Sequence, residues 1–429
     1  MSHGNLKVSP YVFIFKLDGK SSISANLATG EVVHLTDEEA SLMLKGKTGE
    51  NKQLVDSGFL VEDQEYVRNR VISRHREACF SPAVFNLTLL PTLNCNFACH
   101  YCFEKSATGK RMSEEIVERV VKLTKKNASR HLRTELSWYG GEPLLEMDLI
   151  ANAHPRINEA VLSCGGEFTS SVTTNGYLLD KNVALLLRDL KIKFVHLTID
   201  GNKEVHDLSR VSKDGAGTFE QIMYNLLNFL DIYPSSEVMI RVNARYSTSK
   251  TILDVLNKMP QHFRSRISIY LSRIISEQCN EGLSNELSAL FKDIYKVARD
   301  KGFKVAVDNV FNPGPAVYCY AERLTSVVID PEGFVFRCAY TDFSEKERIG
   351  MLNEEGEIKS IGTFGNYWDD LVLTEPDECL SCKYLPLCGF GCPRKRAYSP
   401  RNYQCKNQFC FLTDTLIALI EERREKLKL

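Results

Sequence analysis

From residue 84 to residue 271 the chain alternates short apolar runs with amphipathic segments, and few folds accept that rhythm. The runs Val84–Leu90, Glu135–Tyr139, Phe168–Thr173, Phe194–Ile199, Glu237–Val242 and Ile267–Leu271 read as strands. Between the first two, Ser113 stands as an N-cap and Glu114 and Glu115 complement the positive end of a helix. Ile116, Val117, Val120 and Val121 share that helix's apolar face. Val183–Leu190 and Phe219–Phe229 read as further helices. Each parallel strand connection needs a crossover, and a helix supplies it. The expected fold is therefore α/β, a parallel sheet left open or curled into a partial (β/α)6 barrel over residues 81–310. Chemistry in such folds gathers at the C-terminal strand ends.

The flanks differ. Residues 1–80 carry apolar runs at Tyr11–Phe15, Glu31–His34 and Gly58–Val61, a turn at Leu17–Lys20, and a short helix after the N-cap Thr36. They predict a small α+β module, strand-strand-helix-strand, with a helix or linker over Glu62–Glu77 leading out. Residues 311–429 read as loop-rich, with turns at Asn312–Pro315 and Asp330–Gly333 and a closing helix over Phe411–Leu429. No long-period repeat is present.

With 54 Lys+Arg against 55 Asp+Glu, charge gives no argument for nucleic acid or an anionic membrane as partner. No apolar run reaches the length of a membrane span, and the polar start Met1–Lys7 lacks the apolar stretch of a secretion signal. A cytoplasmic location is expected. There the 14 cysteines suggest metal binding or redox chemistry rather than disulfides. Three of them fall at Cys95, Cys99 and Cys102, directly after the first barrel strand. Eight lie from Cys319 to Cys410, while Cys79, Cys164 and Cys279 are scattered and read as structural thiols.

Three thiolates in Cys95-x3-Cys99-x2-Cys102 suit a [4Fe–4S] cluster with one iron left open. The alternatives are structural zinc with His100, or buried cysteines acting as small hydrophobes. The segment, with Tyr101 before the third cysteine, resembles the signature of radical S-adenosylmethionine (SAM) enzymes. Three further segments resemble the same family in its order, each at an expected strand end. They are Trp138-Tyr-Gly-Gly-Glu-Pro143, Thr173-Thr-Asn-Gly176, and Thr198-Ile-Asp-Gly201 followed by His206-Asp207 and Arg210. The resemblance implies that Cys95, Cys99 and Cys102 hold a catalytic cluster and that its open iron takes the amine and carboxylate of SAM. One-electron cleavage then yields a 5′-deoxyadenosyl radical able to abstract hydrogen. It also implies SAM contacts at Tyr101, Gly140, Gly141, Glu142, Thr174, Asn175, Asp200 and Arg210. Tyr101 would lie near the adenine, Gly140 and Gly141 would let backbone approach the methionyl group, and Glu142 would accept from its ammonium.

Eight C-terminal thiolates match two fully ligated [4Fe–4S] clusters or two zinc ribbons. The spacing Cys319-x13-Gly333-x4-Cys338, then Cys379-x2-Cys382-x5-Cys388-x3-Cys392, then Cys405 and Cys410, resembles the SPASM domain of radical SAM peptide maturases. That resemblance implies an inner auxiliary cluster on Cys319, Cys338 and Cys392, and an outer one on Cys379, Cys382 and Cys388. Cys405 or Cys410 would complete the outer cluster; the other one, or one of the scattered thiols, would complete the inner cluster or leave it with an open iron. Residues 1–75 distantly resemble the winged-helix-like leader-recognition module of such maturases, the alternative being a cap that only packs on the barrel.

The implied function is a three-cluster radical SAM oxidoreductase. It would install a side-chain crosslink, C–C or thioether, in a ribosomal precursor peptide bearing a leader, with flavodoxin or ferredoxin as electron donor. An anaerobic sulfatase-maturing, formylglycine-forming enzyme is the alternative, and a non-catalytic Fe–S electron carrier a more distant one. An electron carrier has no need of the Gly-Gly-Glu and Thr-Asn-Gly segments.

Overall fold

The computed structural model describes residues 6–16, 20–45, 51–104, 109–244, 250–273, 281–305, 319–362, 370 and 374–398. Cys279, Cys405, Cys410, the Asn312–Pro315 turn and the expected helix over Phe411–Leu429 lie outside them. The chain divides into two compact units interleaved in sequence. One contains residues 1–80, 307–323 and 370–429, the other residues 81–306 and 324–369. The C-terminal third is thus shared between the two.

In the first unit the strands are β1 (Lys7–Val8), β2 (Val12–Lys16), β3 (Ser21–Asn26), β4 (Val32–Thr36) and β5 (Leu60–Val61). The helices are α1 (Asp37–Leu44), α2 (Lys52–Asp56) and α3 (Gln64–Phe80). Strands β2, β3 and β4 form an antiparallel sheet with β3 central, and β1 pairs with β5. Val12, Val33, Leu35, Met43, Leu54, Phe59 and Leu60 make its core. Thr36 caps α1 as expected: its Oγ1 accepts from Glu39 N at 3.1 Å while its own N–H donates to Glu39 Oε2 at 2.8 Å.

Strand β3 has no counterpart in the sequence reading. Its Ser-Ser-Ile-Ser-Ala-Asn run is too polar for a central strand, yet Ser22 and Asn26 are buried because each is bonded. Ser22 donates to Asp37 at 2.6 Å, and the Asn26 amide bridges Gly58 O at 2.7 Å and Ala28 N at 3.0 Å. Short helices at Asp377–Leu380, Leu385–Cys388 and Pro393–Tyr398 complete this unit. They pack on its N-terminal part through Phe13 against Tyr384 at 4.9 Å, His75 against Phe390 at 5.2 Å, and an Arg76–Glu375 ion pair.

In the second unit β6 (Val84–Leu89), β7 (Arg133–Trp138), β8 (Glu167–Thr174), β9 (Phe194–Thr198), β10 (Glu237–Ala244) and β11 (Ile267–Arg273) fall on the six expected strands. They are parallel, in spatial order β11-β10-β9-β8-β7-β6, with β12 (Lys304–Val305) beyond β11. Helix α4 (Glu114–Ala128) starts at Ser113, whose Oγ accepts from Ile116 N at 3.3 Å. Helices α5 (Met147–Leu162), α6 (Lys181–Asp189), α7 (Lys203–Ser209) and α8 (Phe219–Ile232) follow. Sequence patterning places no element at α5. Its interior Pro155 weakens the helical signal, and burial of Ile150, Ala153, Ile157 and Val161 outweighs the lost hydrogen bond.

The segment expected to be loop-rich instead adds β13 (Ser326–Ile329) parallel to β6. Three antiparallel strands follow it: β14 (Phe334–Phe336), β15 (Gly350–Leu352) and β16 (Ile358–Ser360). The result is an α/β architecture around one predominantly parallel sheet, of eleven strands among the described residues. No helix of the described residues is long and apolar enough to cross a membrane.

Candidate functional site

Beyond Leu89, at the C-terminal end of β6, the chain leaves the sheet as a loop pinned at several points. Thr92 bridges Arg111 and donates to Lys110 O at 3.1 Å. Phe97 bridges Ser212, Ala98 N donates to Val211 O at 2.9 Å, and Lys213 N donates to Asn96 O at 3.0 Å. This loop presents the half-buried thiols of Cys95, Cys99 and Cys102, none of them in a disulfide, to a cavity of about 690 Å³. The other walls come from the ends of neighbouring strands: Gly140 and Gly141 after β7, Thr174 and Asn175 at β8, Arg241 and Asn243 on β10.

The two glycines are required by the cysteine loop itself. A Cβ on Gly140 would lie 2.4 Å from Thr92 O, and one on Gly141 would lie 2.2 Å from Asn94 O. Their role in this structure is to let the β7 turn press against the loop backbone, where Glu142 N donates to Asn94 O at 2.8 Å. Glu142 is wholly buried and does not line the cavity. Its carboxylate accepts from Leu144 N at 3.0 Å, Thr174 Oγ1 at 2.7 Å and Asn175 N at 2.7 Å. Burial raises its pKa against the pull of those three bonds. It locks the β7 turn to the end of β8. Asn175 in turn donates to Asn96 Oδ1 at 2.7 Å and lies 3.9 Å from Cys95 Sγ.

Tyr101 forms a hub. Its hydroxyl donates to Asp200 and accepts from Arg210 Nη1 at 2.9 Å and Asn243 Nδ2 at 3.0 Å. Asp200 also accepts from Asn243 N at 3.0 Å. The network ties the cysteine loop to the ends of β9 and β10. The sequence reading has Tyr101, Asp200 and Arg210 but lacks Asn243, which ends no recognisable motif. It also lacks Glu104, a cavity-lining residue whose Oε2 is buried without a hydrogen-bond partner and whose carboxyl burial pushes up to about 7.

The thiols suit a polynuclear group better than a single ion or a nucleophile. Burial pushes Cys95 up to about 12 and raises Cys102, the reverse of an activated cysteine. His100 spends its Nε2 on Leu208 O. Among the described residues, no three His, Cys, Asp or Glu side chains of this cavity converge within 4.8 Å, as ligands of a mononuclear zinc would. Cys95 also accepts from the N–H two residues on, Phe97 N at 3.4 Å. Cys338 takes the same bond from Tyr340 N at 3.3 Å, and Cys382 from Tyr384 N at 3.3 Å. Such bonds to sulfur tune cluster ligands.

Cys319, Cys379, Cys382, Cys388 and Cys392 belong to the first unit and Cys338 to the second. Between Cys388 and Cys392, Gly389, Phe390 and Gly391 all take positive φ, a tight wrap unusual for a phenylalanine. Cys79 is fully buried and Cys164 half-buried.

Comparison with known proteins agrees with this geometry. Residues 89–258 match the model of the Radical SAM superfamily. The cysteine-type anaerobic sulfatase-maturating enzyme of Clostridium novyi is 23% identical over 358 residues, covering 74% of this chain and 90% of that protein. The Fe-coproporphyrin III synthase of Methanosarcina barkeri is 26% identical over 378 residues, 77% of this chain and 88% of that protein. Among solved structures, native anSMEcpe with bound AdoMet and Cp18Cys peptide superposes with a TM-score of 0.61 at 20% identity, covering 80% of this chain and all of that one. The fold around the three cysteines is thus a radical SAM domain. The relatives that the chain resembles over about three quarters of its length are enzymes.

Proposed function

We propose that the protein oxidises a side chain of a peptide, using a [4Fe–4S] cluster held by Cys95, Cys99 and Cys102 together with SAM. The carrying observation is that these thiols, the Gly140-Gly141 turn and the Thr174-Asn175 strand end surround one cavity. When bound, cluster and SAM supply a 5′-deoxyadenosyl radical, which removes an unactivated hydrogen. The chain's own residues supply placement. Glu142 holds the β7 and β8 ends in register, and Tyr101 with Asp200, Arg210 and Asn243 fixes the cysteine loop. The reductant is a flavodoxin or ferredoxin.

The peptide substrate is supported by the likeness to a sulfatase-maturating enzyme and to a structure holding a peptide. Cys319, Cys338, Cys379, Cys382, Cys388 and Cys392, with Cys405 and Cys410, would hold two auxiliary clusters, which would supply an acceptor for the electron left after hydrogen removal. The product is a side-chain crosslink in a precursor peptide whose leader adds as a strand to an edge of the β2-β3-β4 sheet. That reading draws on residues 1–75, whose small α+β module offers the edge strands β2 and β4. Formylglycine formation is the second reading, favoured by the sulfatase-maturating relatives.

Mass spectrometry of two peptides separates them. Loss of hydrogen with sulfur retained in a leader-bearing precursor supports crosslinking, and replacement of a cysteine thiol by an aldehyde in a sulfatase-derived peptide supports the second reading. Replacing Cys95, Cys99 and Cys102 by Ala is expected to abolish 5′-deoxyadenosine. Cys382→Ala should keep SAM cleavage and lose peptide product. Full peptide conversion in a Cys382→Ala protein lacking the outer cluster would exclude that cluster as an obligatory relay.

A further inference from the structure

Away from the cavity, the first unit buries a second group of donor side chains that the proposed chemistry does not use. His75 and Cys79 lie one turn apart on α3, and Glu322 follows Cys319 on a short 3-10 turn, its N–H donating to Cys319 O at 3.0 Å. Their relative exposures are 6%, 0% and 0%. His75 Nε2 stands 3.4 Å from Glu322 Oε2, and Cys79 Sγ stands 3.8 Å from His75 Nε2. All three donor atoms lie within 4.8 Å of one another.

We propose that His75, Cys79 and Glu322 form a mononuclear zinc site that fastens the segment after Cys319 to helix α3. Tetrahedral zinc with bonds of about 2.0 Å to nitrogen, 2.1 Å to oxygen and 2.3 Å to sulfur has N···O and N···S edges of about 3.4 and 3.6 Å. The observed edges match the first and exceed the second by a shift a side chain makes on binding. The second observation is on the carboxylate: Glu322 Oε1 is buried with no hydrogen-bond partner, a costly arrangement that a cation relieves. Charge also closes, since one thiolate and one carboxylate neutralise a divalent ion beside a neutral imidazole. Burial and the Glu322 carboxylate push the Cys79 thiol up to about 12 against the pull of Arg323 and Arg396, so a thiolate here calls for a bound cation. Among the described residues, the group that converges here holds one thiol, one imidazole and one carboxylate, a donor set unlike the all-thiolate ligation of a cluster. The mixed N, S and O donor set is one that zinc accepts. The inference does not depend on the peptide reading.

The test uses the full-length protein, reconstituted anaerobically with iron and sulfide, treated with EDTA and desalted, with metals counted by mass spectrometry. The expected result is about one zinc per chain, falling at least about fivefold in Cys79→Ser, His75→Gln and Glu322→Gln at unchanged iron. Zinc-edge absorption on the wild type should show one sulfur among nitrogen and oxygen neighbours, a readout that needs no variant to fold. Three results overturn the proposal. One is wild-type protein without zinc, which leaves a buried His75–Glu322 ion pair over a neutral thiol. Another is zinc in an all-sulfur shell, which places it on cluster cysteines. The third is loss of about four irons in Cys79→Ser, which makes Cys79 a cluster ligand.

Discussion

Gly141 and Gly165 show how differently two glycines constrain one barrel. A Cβ at Gly141 meets the Asn94 carbonyl oxygen at 2.2 Å, and that backbone carries Cys95. Gly141→Ala should displace the cysteine loop, lowering iron retained there and cutting 5′-deoxyadenosine production by at least about tenfold. Gly165 has φ +77° and nothing within 4 Å of a built Cβ. Gly165→Ala should cost about 1 kcal/mol of backbone strain, read as a small drop in melting temperature, and leave turnover intact.

Asp330 gives a pH-dependent case. Burial pushes its carboxyl up to about 6, while its Oδ1 accepts from Glu332 N and Phe334 N, both at 2.9 Å. The folded state therefore holds this proton more tightly than the unfolded chain. Stability from this group is full below about pH 4 and is lost as pH rises through about 6. Asp330→Asn keeps an oxygen for both donors and removes the charge. Denaturant melts should show the variant more stable than wild type at pH 8, by on the order of 1–3 kcal/mol, and nearly equal at pH 4. Equal differences at both values would remove the burial argument.

At the scale of elements, the N-terminal strands and α3 pack against Tyr384, Phe390 and Glu375 of the cysteine-bearing segment through Phe13, His75 and Arg76. Lys383 adds its ammonium over the Phe13 ring at 5.7 Å. Deleting residues 1–75 should therefore do more than weaken peptide binding. Iron is expected to fall from about twelve per chain toward the four of the barrel site, with SAM cleavage retained. A truncated protein that keeps all its iron and loses only peptide affinity would make the module a pure recognition element. The six barrel strands and helices α4, α6 and α8 were legible in the sequence because each carries its own apolar period, reinforced at α4 by the Ser113 cap on Ile116. Strand β3 and helix α5 were not: one is held by buried serine and asparagine bonds, the other runs through Pro155.

For the whole molecule, the interleaved units make metal loading the most direct check. Anaerobically reconstituted protein should carry about twelve iron and twelve sulfide. About eight iron would mark a defective auxiliary site, and stoichiometric zinc with little iron would remove the cluster assignment altogether. The sequence by itself determined the barrel's order of strands and the cysteine loop at its first strand end, since both rest on local spacing: a period of two or of 3.6, and thiols a few residues apart. Only the tertiary structure decided what depends on distant residues meeting. It turned Glu142 inward to brace two strand ends, drew Asn243 to Tyr101, and laid β13 beside β6. It also carried Glu322 to a helix turn 247 residues earlier in the chain. Those contacts follow from chain closure and side-chain burial, and no local pattern encodes either.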